Sequence, residues 1–397
     1  MGLDFLHGIE TLEDDSGSRP IQTVKSSVIG IIGTAPDADP NIFPLNEPVL
    51  LKNEPRKAAA LDATGNGLGT LLDNMNLIYK QAGAMTVITR VEEGADIDAT
   101  LTNVVGSASS MSGVHAFKGA QSEFGVEPRL YIAPGFTSQR PGGAKNPVMA
   151  ELEGIINSAR AIAIGDGPGT TDEDAVAMAG DFGSPRVYLV EPGIKLWDTE
   201  AQGYVNMPAS AAVAGVISRT DQEKGFWWSP SNKEIFGIGG ITRPMQFSLS
   251  DVNSQANYLN EQKIATIVNK NGYRLWGNRT TSMDPKWAFL SVRRTADMIY
   301  ESIEAAMLWA MDRPFSAQLL LDIMESVQNY LNFLIARGAL LGGTVWLDTE
   351  LNTASTMEAG QLYIDFDIEP PAPLERLTFT AHRNNGYYEE LIKKVAA

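Results

Sequence analysis

Between residues 28 and 228, short apolar runs at 28–32, 86–91, 130–133, 161–164 and 187–190 end at Gly, Pro or charge, with helix-length stretches between them. Runs of this kind, uninterrupted by polar positions, predict strands buried on both faces of a sheet. Helices are expected over 148–161, 172–179 and 210–218 as its coverings. That is α/β grammar. Thr170-Thr171-Asp172-Glu173 offers a capping box in which Thr170 accepts from a first-turn N–H and Glu173 reaches back.

After about residue 245 the pattern changes to two long helical stretches, 287–311 and 316–337, separated by Asp312-Arg313-Pro314. Residues 361–368 then alternate, with Leu362, Ile364, Phe366 and Ile368 on one face and Tyr363, Asp365 and Asp367 on the other, which describes a half-buried strand. Pro370-Pro371-Ala372-Pro373 stops it, and 374–381 offers a return strand. The aromatic residues Phe226, Trp227, Trp228, Tyr273, Trp276, Trp287, Trp309 and Trp346 cluster in the second half and are expected mainly as core, with interface anchoring as the other reading.

The two ends fit neither pattern. Residues 1–25 have no helical period, contain the breaker Ser16-Gly17-Ser18-Arg19-Pro20, and set Asp4, Glu10, Glu13, Asp14 and Asp15 against Arg19 and Lys25, a net charge of −3. A segment this polar has no face to bury on itself and reads as an extended arm. The last stretch, YYEELIKKVAA, is mildly amphipathic but short, and 381–397 reads as a second arm.

Length and composition narrow the classes. With 397 residues, 44% of them hydrophobic and 20% charged, the chain has material for two or three domains with an ample core. A formal net charge of −17 opposes general attraction to nucleic acid or anionic lipid. No cysteine is present, which removes disulfides, thiolate metal sites and a Cys nucleophile. The start lacks a basic segment followed by an apolar one, and no 18 apolar residues run together, so neither an export signal nor membrane insertion is expected.

Candidate chemistry is thin. His7, His115 and His382 lie far apart without metal-ligand spacing, no HExxH or GxSxG occurs, and no Gly-Lys dipeptide supplies a P-loop. Two glycine-rich loops, Gly65-Asn66-Gly67-Leu68-Gly69 and Gly165-Asp166-Gly167-Pro168-Gly169-Thr170-Thr171, lack the dinucleotide spacing, and Pro168 removes a donor from the second. Asp37-Ala38-Asp39 opens like a calcium loop but meets Ile42 and Pro48 where Gly and Glu belong. Asp365 and Asp367 read better as a solvated strand face than as catalytic carboxylates. Asn278-Arg279-Thr280 satisfies a glycosylation pattern that matters only in a secretory pathway. No catalytic, cofactor-binding or metal residue is assigned.

One run is distinctive. Gly272-Tyr273-Arg274-Leu275-Trp276-Gly277-Asn278-Arg279-Thr280, followed by Lys286-Trp287-Ala288-Phe289, resembles the signature of contractile tail sheath proteins of myophages and R-type pyocins. Ser229-Pro230-Ser231-Asn232-Lys233-Glu234-Ile235, Trp309-Ala310-Met311-Asp312-Arg313, His7-Gly8-Ile9-Glu10 and Ser26-Ser27-Val28-Ile29-Gly30 carry the same resemblance, which extends over nearly the whole chain.

The resemblance implies a two-domain sheath subunit, α/β with an α+β inner domain. Its parts would be an N-terminal extended arm at 1–25, an outer α/β domain at 26–245, an inner tube-facing domain at 246–380 and a C-terminal arm at 381–397. It implies a structural protein, not an enzyme, without cofactor, polymerising as stacked hexameric rings around a tail tube and contracting to drive the tube through a bacterial envelope. Partners would be further copies, the tail tube protein, and baseplate and tail terminator proteins, in a virion tail or pyocin-like particle assembled in the bacterial host cytoplasm. Arm residues expected to reach neighbours are His7, Gly8, Ile9, Glu10, Tyr387, Tyr388, Leu391, Ile392, Lys393 and Lys394, and Trp276, Gly277, Asn278, Arg279 and Thr280 are expected to hold the inner domain together. Another self-assembling tail or capsid protein, and a cytosolic α/β enzyme with an unrecognised site, are the competing readings, which the form of any assembly separates.

Overall fold

The computed structural model describes residues 20–199 and 202–396. Its centre is an eight-stranded sheet in the order β11-β10-β6-β5-β4-β1-β3-β2. These strands are β1 (Ile29–Thr34), β2 (Pro48–Lys52), β3 (Met85–Val91), β4 (Leu130–Ile132), β5 (Ile162–Asp166), β6 (Val187–Glu191), β10 (Ile264–Asn269) and β11 (Tyr273–Trp276). All pairings from β10 to β3 are parallel, and β11 and β2 close the two ends antiparallel.

The uninterrupted apolar runs follow from burial on both faces. Ile29, Ile31, Ile88, Ile132 and Ile164 point into one apolar cluster with helices Leu71–Gln81 and Ser210–Glu223. Ile32, Val87, Tyr131, Ala163 and Leu189 point into another, with helices Ile97–Val105, Pro147–Ser158 and Asp172–Gly180. A small sheet in the order β8-β7-β9, from β7 (Ile194–Asp198), β8 (Gly203–Met207) and β9 (Gly240–Ile241), flanks this layer.

The second unit is thinner. Helix Leu290–Ala306 and helix Ala317–Ala336, capped by the Ser316 hydroxyl accepting from Leu319 N, pack with the antiparallel pair β12 (Gly342–Leu347) and β13 (Ile364–Glu369). Its apolar cluster holds Ile21, Phe226, Met298, Ile299, Val327, Tyr330, Leu331 and Leu334.

Five expectations need correction. The boundary at 245 cuts through the large sheet, because β10 and β11 pair with it, so 246–276 belongs to the α/β layer. The described end of the first arm, 20–25, lies on its own chain: Ile21 is buried, Thr23 Oγ1 meets Tyr330 Oη at 3.0 Å, and Val24 N donates to Ser302 Oγ at 3.1 Å. The helix at Asp172 is capped one residue later than expected, Thr171 accepting from Asp174 N while Thr170 bonds the Asp174 carboxylate. Residues 374–381 form no return strand. Of the aromatic group only Phe226 is buried; Trp228 and Trp346 are exposed and the others half-buried. Several rings carry an arginine instead, as Arg293 does 4.1 Å over Trp287 and Arg313 does 4.9 Å over Trp309.

Candidate assembly interface

Helix Leu290–Ala306 presents charge, spaced three or four residues apart, to the α/β layer. Asp297, almost wholly buried, accepts two bonds from Arg186 at 2.5 and 2.9 Å and a third from Arg293 at 2.6 Å. Burial pushes its carboxyl up, and the two guanidinium groups act against that. Arg294 forks onto Asp221 at 3.0 and 2.6 Å and reaches Ser26 O at 3.1 Å, while Ser26 Oγ donates to the same carboxylate. Farther along, Glu301 pairs with Arg129 at 2.9 Å and Glu304 with Arg160 at 2.6 Å. The seam between the two units is thus a row of ion pairs whose inner members are desolvated. Breaking one inner partner strands a buried charge, which fixes the relative placement of the units.

The signature residues sit at the near end of that seam. Gly277 adopts φ +149°, and a Cβ there would lie 2.7 Å from Ala265 Cα, so β10 and this turn pack main chain on main chain. Gly277 O accepts from Tyr188 Oη at 2.8 Å, and Gly277 N donates to Ser231 Oγ at 3.0 Å. Asn278 takes a hydrogen bond from Ser229 through its side chain, and its carbonyl accepts from Leu290 N at 2.9 Å. Thr280 N and Oγ1 both donate to Ala288 O, at 2.8 and 3.1 Å. Trp276 packs edge-on against Phe247 at 4.9 Å. Arg279 does something different: it leaves the seam and forks onto Glu375, with contacts of 2.7–3.2 Å, and this pairing holds its guanidinium above the usual range. It anchors the root of the C-terminal tail.

Beyond that root, 374–384 has no secondary structure and runs exposed, with Leu374, Leu377 and Phe379 uncovered. Leu377, Phe379 and Ala381 alternate with Thr378 and Thr380, a strand pattern without a strand. Helix Tyr387–Ala396 follows and exposes Tyr387, Tyr388, Leu391, Ile392 and Val395, with Lys393 and Lys394 in its last turn. Among the described residues 387–396 makes no sheet pairing, and His7, Gly8, Ile9 and Glu10 lie outside the described residues. A two-stranded sheet is marginal alone and gains from a third strand. The β12–β13 pair keeps Trp346, Asp365 and Asp367 on its outward face and Val345, Phe366 and Ile368 toward the cluster.

The small-molecule candidates are occupied by the chain itself. In the first glycine loop the Asp62 carboxylate accepts from Gly65, Asn66 and Gly67 N at 2.9, 3.1 and 2.7 Å, so the anion nest is filled from within. In the second, Glu191, fully buried, accepts from Gly169 N at 3.1 Å and pairs with Arg243, and the following first turn holds Asp172, Glu173 and Asp174, which repels a phosphate. Asp37 is bonded by Thr64 and Asn66, and Asp39 by Asn41, within a turn. His115 pairs with Glu151 at 3.0 Å. Among the described residues no three metal-ligating side chains converge.

The model of the phage tail sheath protein central domain matches residues 106–281, and that of the phage tail sheath C-terminal domain matches 282–383. A prophage major tail sheath protein of Pseudomonas aeruginosa is 38% identical over 98% of this chain and 99% of its own length. The tail sheath protein of Escherichia phage P2 is 32% identical over 99% of both. Among solved structures, the helical sheath of the anti-feeding prophage in its contracted state superposes with a TM-score of 0.72 at 20% identity, over 96% of this chain and all of the other. The two models divide the chain at 281/282, just past the end of the large sheet.

Proposed function

Because the chain belongs to the phage tail sheath family and is a structural sheath subunit, we propose that it polymerises as stacked hexameric rings around a tail tube and contracts to drive that tube through a bacterial envelope. The observation that carries this reading is the C-terminal tail. It is rooted at Arg279–Glu375, patterned as a strand at 377–381, and pairs with no strand among the described residues. Main-chain groups left open in this way, on a chain that also holds a two-stranded sheet needing a partner, fit strand addition between copies.

The α/β layer then forms the outer part and the helices with β12–β13 the inner, tube-facing part, with baseplate and tail terminator proteins at the ends. The location is a virion tail or pyocin-like particle assembled in the host cytoplasm. Contraction exchanges one set of contacts between copies for a better one, and the ion-paired seam lets each subunit move as a rigid body. The reaction is mechanical and draws on no bound cofactor.

Negative-stain microscopy of the purified full chain tests the proposal. Hollow tubes with six-fold end views are expected, and closed shells or discrete particles at all concentrations overturn it. Assembly is also expected to be indifferent to ATP and to EDTA, and a reproducible dependence on either points back to the loop at 165–171.

A further inference from the structure

The two outer edges of the β12–β13 pair are not alike. Alternate residues of an antiparallel strand turn their N–H and C=O toward the partner. Asp348 N donates to Tyr363 O, and the register continues as Trp346↔Asp365 and Thr344↔Asp367, so the even-numbered residues of β12 face β13. Gly343, Val345 and Leu347 face away. On that side stands Gln328, from helix Ala317–Ala336: its Nε2 donates to Gly343 O at 3.2 Å and its Oε1 accepts from Val345 N at 3.0 Å.

A donor and an acceptor on one planar amide, meeting a C=O and an N–H two residues apart, reproduce the bonds that one residue of an added parallel strand would make. Two features hold the amide there. Gln328 Nε2 also reaches Asn332 Oδ1 one helical turn on, at 3.1 Å, and Gly343 lets the helix come close, since a Cβ at that position would lie 3.3 Å from Leu331 Cδ1 and 3.1 Å from Asp367 O. On β13, by contrast, the outward main-chain groups of Ile364, Phe366 and Ile368 have no hydrogen-bond partner among the described residues.

We propose that Gln328 is an edge guard: in the free subunit its amide closes β12 to strand pairing and leaves β13 as the edge that accepts a strand from a second copy of this chain. The proposal rests on the sheath reading for the identity of the added strand. An exposed edge templates pairing with any chain, and a protein that must stay monomeric until it meets a growing end gains from having one such edge instead of two. The guard is cheap to keep, because a side-chain amide pairs two half-buried main-chain groups, Gly343 O and Val345 N, that have no main-chain partner of their own among the described residues.

Hydrogen exchange on unassembled full-length subunits tests this. In the wild type the Val345 amide is expected to exchange slowly and the Phe366 amide fast. Gln328→Ala is expected to speed Val345 about tenfold or more while leaving Trp346, which bonds β13, protected. The same variant should lower, several-fold, the concentration at which subunits self-associate by sedimentation. If Val345 exchange is unchanged, or self-association is unchanged or weakened, the proposal falls. If Trp346 also loses protection, Gln328→Met decides by the same two readouts, since it keeps the approximate size of the side chain and removes both the donor to Gly343 O and the acceptor for Val345 N. The contrast between Val345 and Phe366 is read on monomers, so failure of the guard and failure to form tubes are separate results.

Discussion

The two units of this chain solve burial in opposite ways. The α/β layer buries both faces of its central strands and closes both ends of its sheet with antiparallel strands, β2 and β11. The C-terminal unit buries one face of a two-stranded sheet, binds the first unit through charge, and leaves Leu308, Met311, Leu321, Leu341 and Trp346 uncovered. The large sheet is covered on both faces; the small one has a face without a cover among the described residues. A family of stacked subunits has use for both properties, a rigid body to transmit displacement and an unsatisfied surface to join copies.

The contrast is broken most severely by removing the tails. Deleting 374–397 takes away no buried core residue among those described, so cooperative melting of the monomer should persist while long polymers are lost. Deleting 1–19 should do the same; Ile21, which is buried, stays. Calorimetry together with sedimentation reads the two effects separately. A monomer that no longer melts cooperatively would place the deleted segment in the chain's own core.

Next in size is the seam. Asp297→Ala leaves Arg186 and Arg293 facing each other across a buried site, and should cost about 3–5 kcal/mol in chemical denaturation. Replacement by Asn keeps hydrogen-bonding capacity and should cost less. A loss under 1 kcal/mol would show that the seam relaxes or admits water, and that the units are not held as one body.

A smaller effect is expected at the root of the tail. Arg279→Ala removes a bidentate pair that is about two-fifths exposed on the arginine side, so its contribution to monomer stability is at most ~1 kcal/mol. Its larger consequence is release of the tail from a fixed direction, which should raise the critical concentration for polymerisation more than it lowers Tm. Arg279→Lys, with charge but no fork, should recover only part of that.

How much of this was legible in sequence depends on where the determining contacts lie. The strands at 29–34, 85–91 and 187–191 were readable because two-sided burial writes itself as continuous Val, Ile and Leu. Helix Ala317–Ala336 was readable because Ser316 caps it and Arg337 ends it. The boundary near 245 was misplaced because β10 lies far along the chain from its partner β6, and sheet order is not a local property. The expectation of core tryptophans failed because an arginine can cover one face of a ring that stays half-buried, as at Trp287 and Trp309, and nothing in residue type announces it. Gln328 was missed for the same reason: a glutamine on a helix acquires its meaning only when Gly343 arrives beside it. For Arg279 the signature motif marked the residue, but its partner Glu375 lies 96 positions on.

The smallest expected effect concerns Lys393 and Lys394. The segment they end is a helix, not a strand, so their charges sit at its C-terminus, complementing the macrodipole, with Glu389 and Glu390 in its first turn. Each is therefore worth about 0.3–1 kcal/mol to the helix, less in salt. The tail from 381 on carries Arg383, Lys393 and Lys394 against Glu389 and Glu390, a net +1, while residues 1–25 carry −3. If the two tails of neighbouring copies meet, reversing both lysines to Glu acts twice, fraying the helix and turning attraction into repulsion. Critical concentration should then rise a few-fold at low ionic strength and much less near 1 M salt, where the Debye length is about 3 Å. Circular dichroism of the isolated 385–397 peptide separates the two causes. A rise in critical concentration that persists in high salt assigns the effect to helix loss. Unchanged values at both salt levels mean that the last turn contacts nothing charged in the assembly, and the electrostatic expectation falls while strand addition at 374–384 is left untouched.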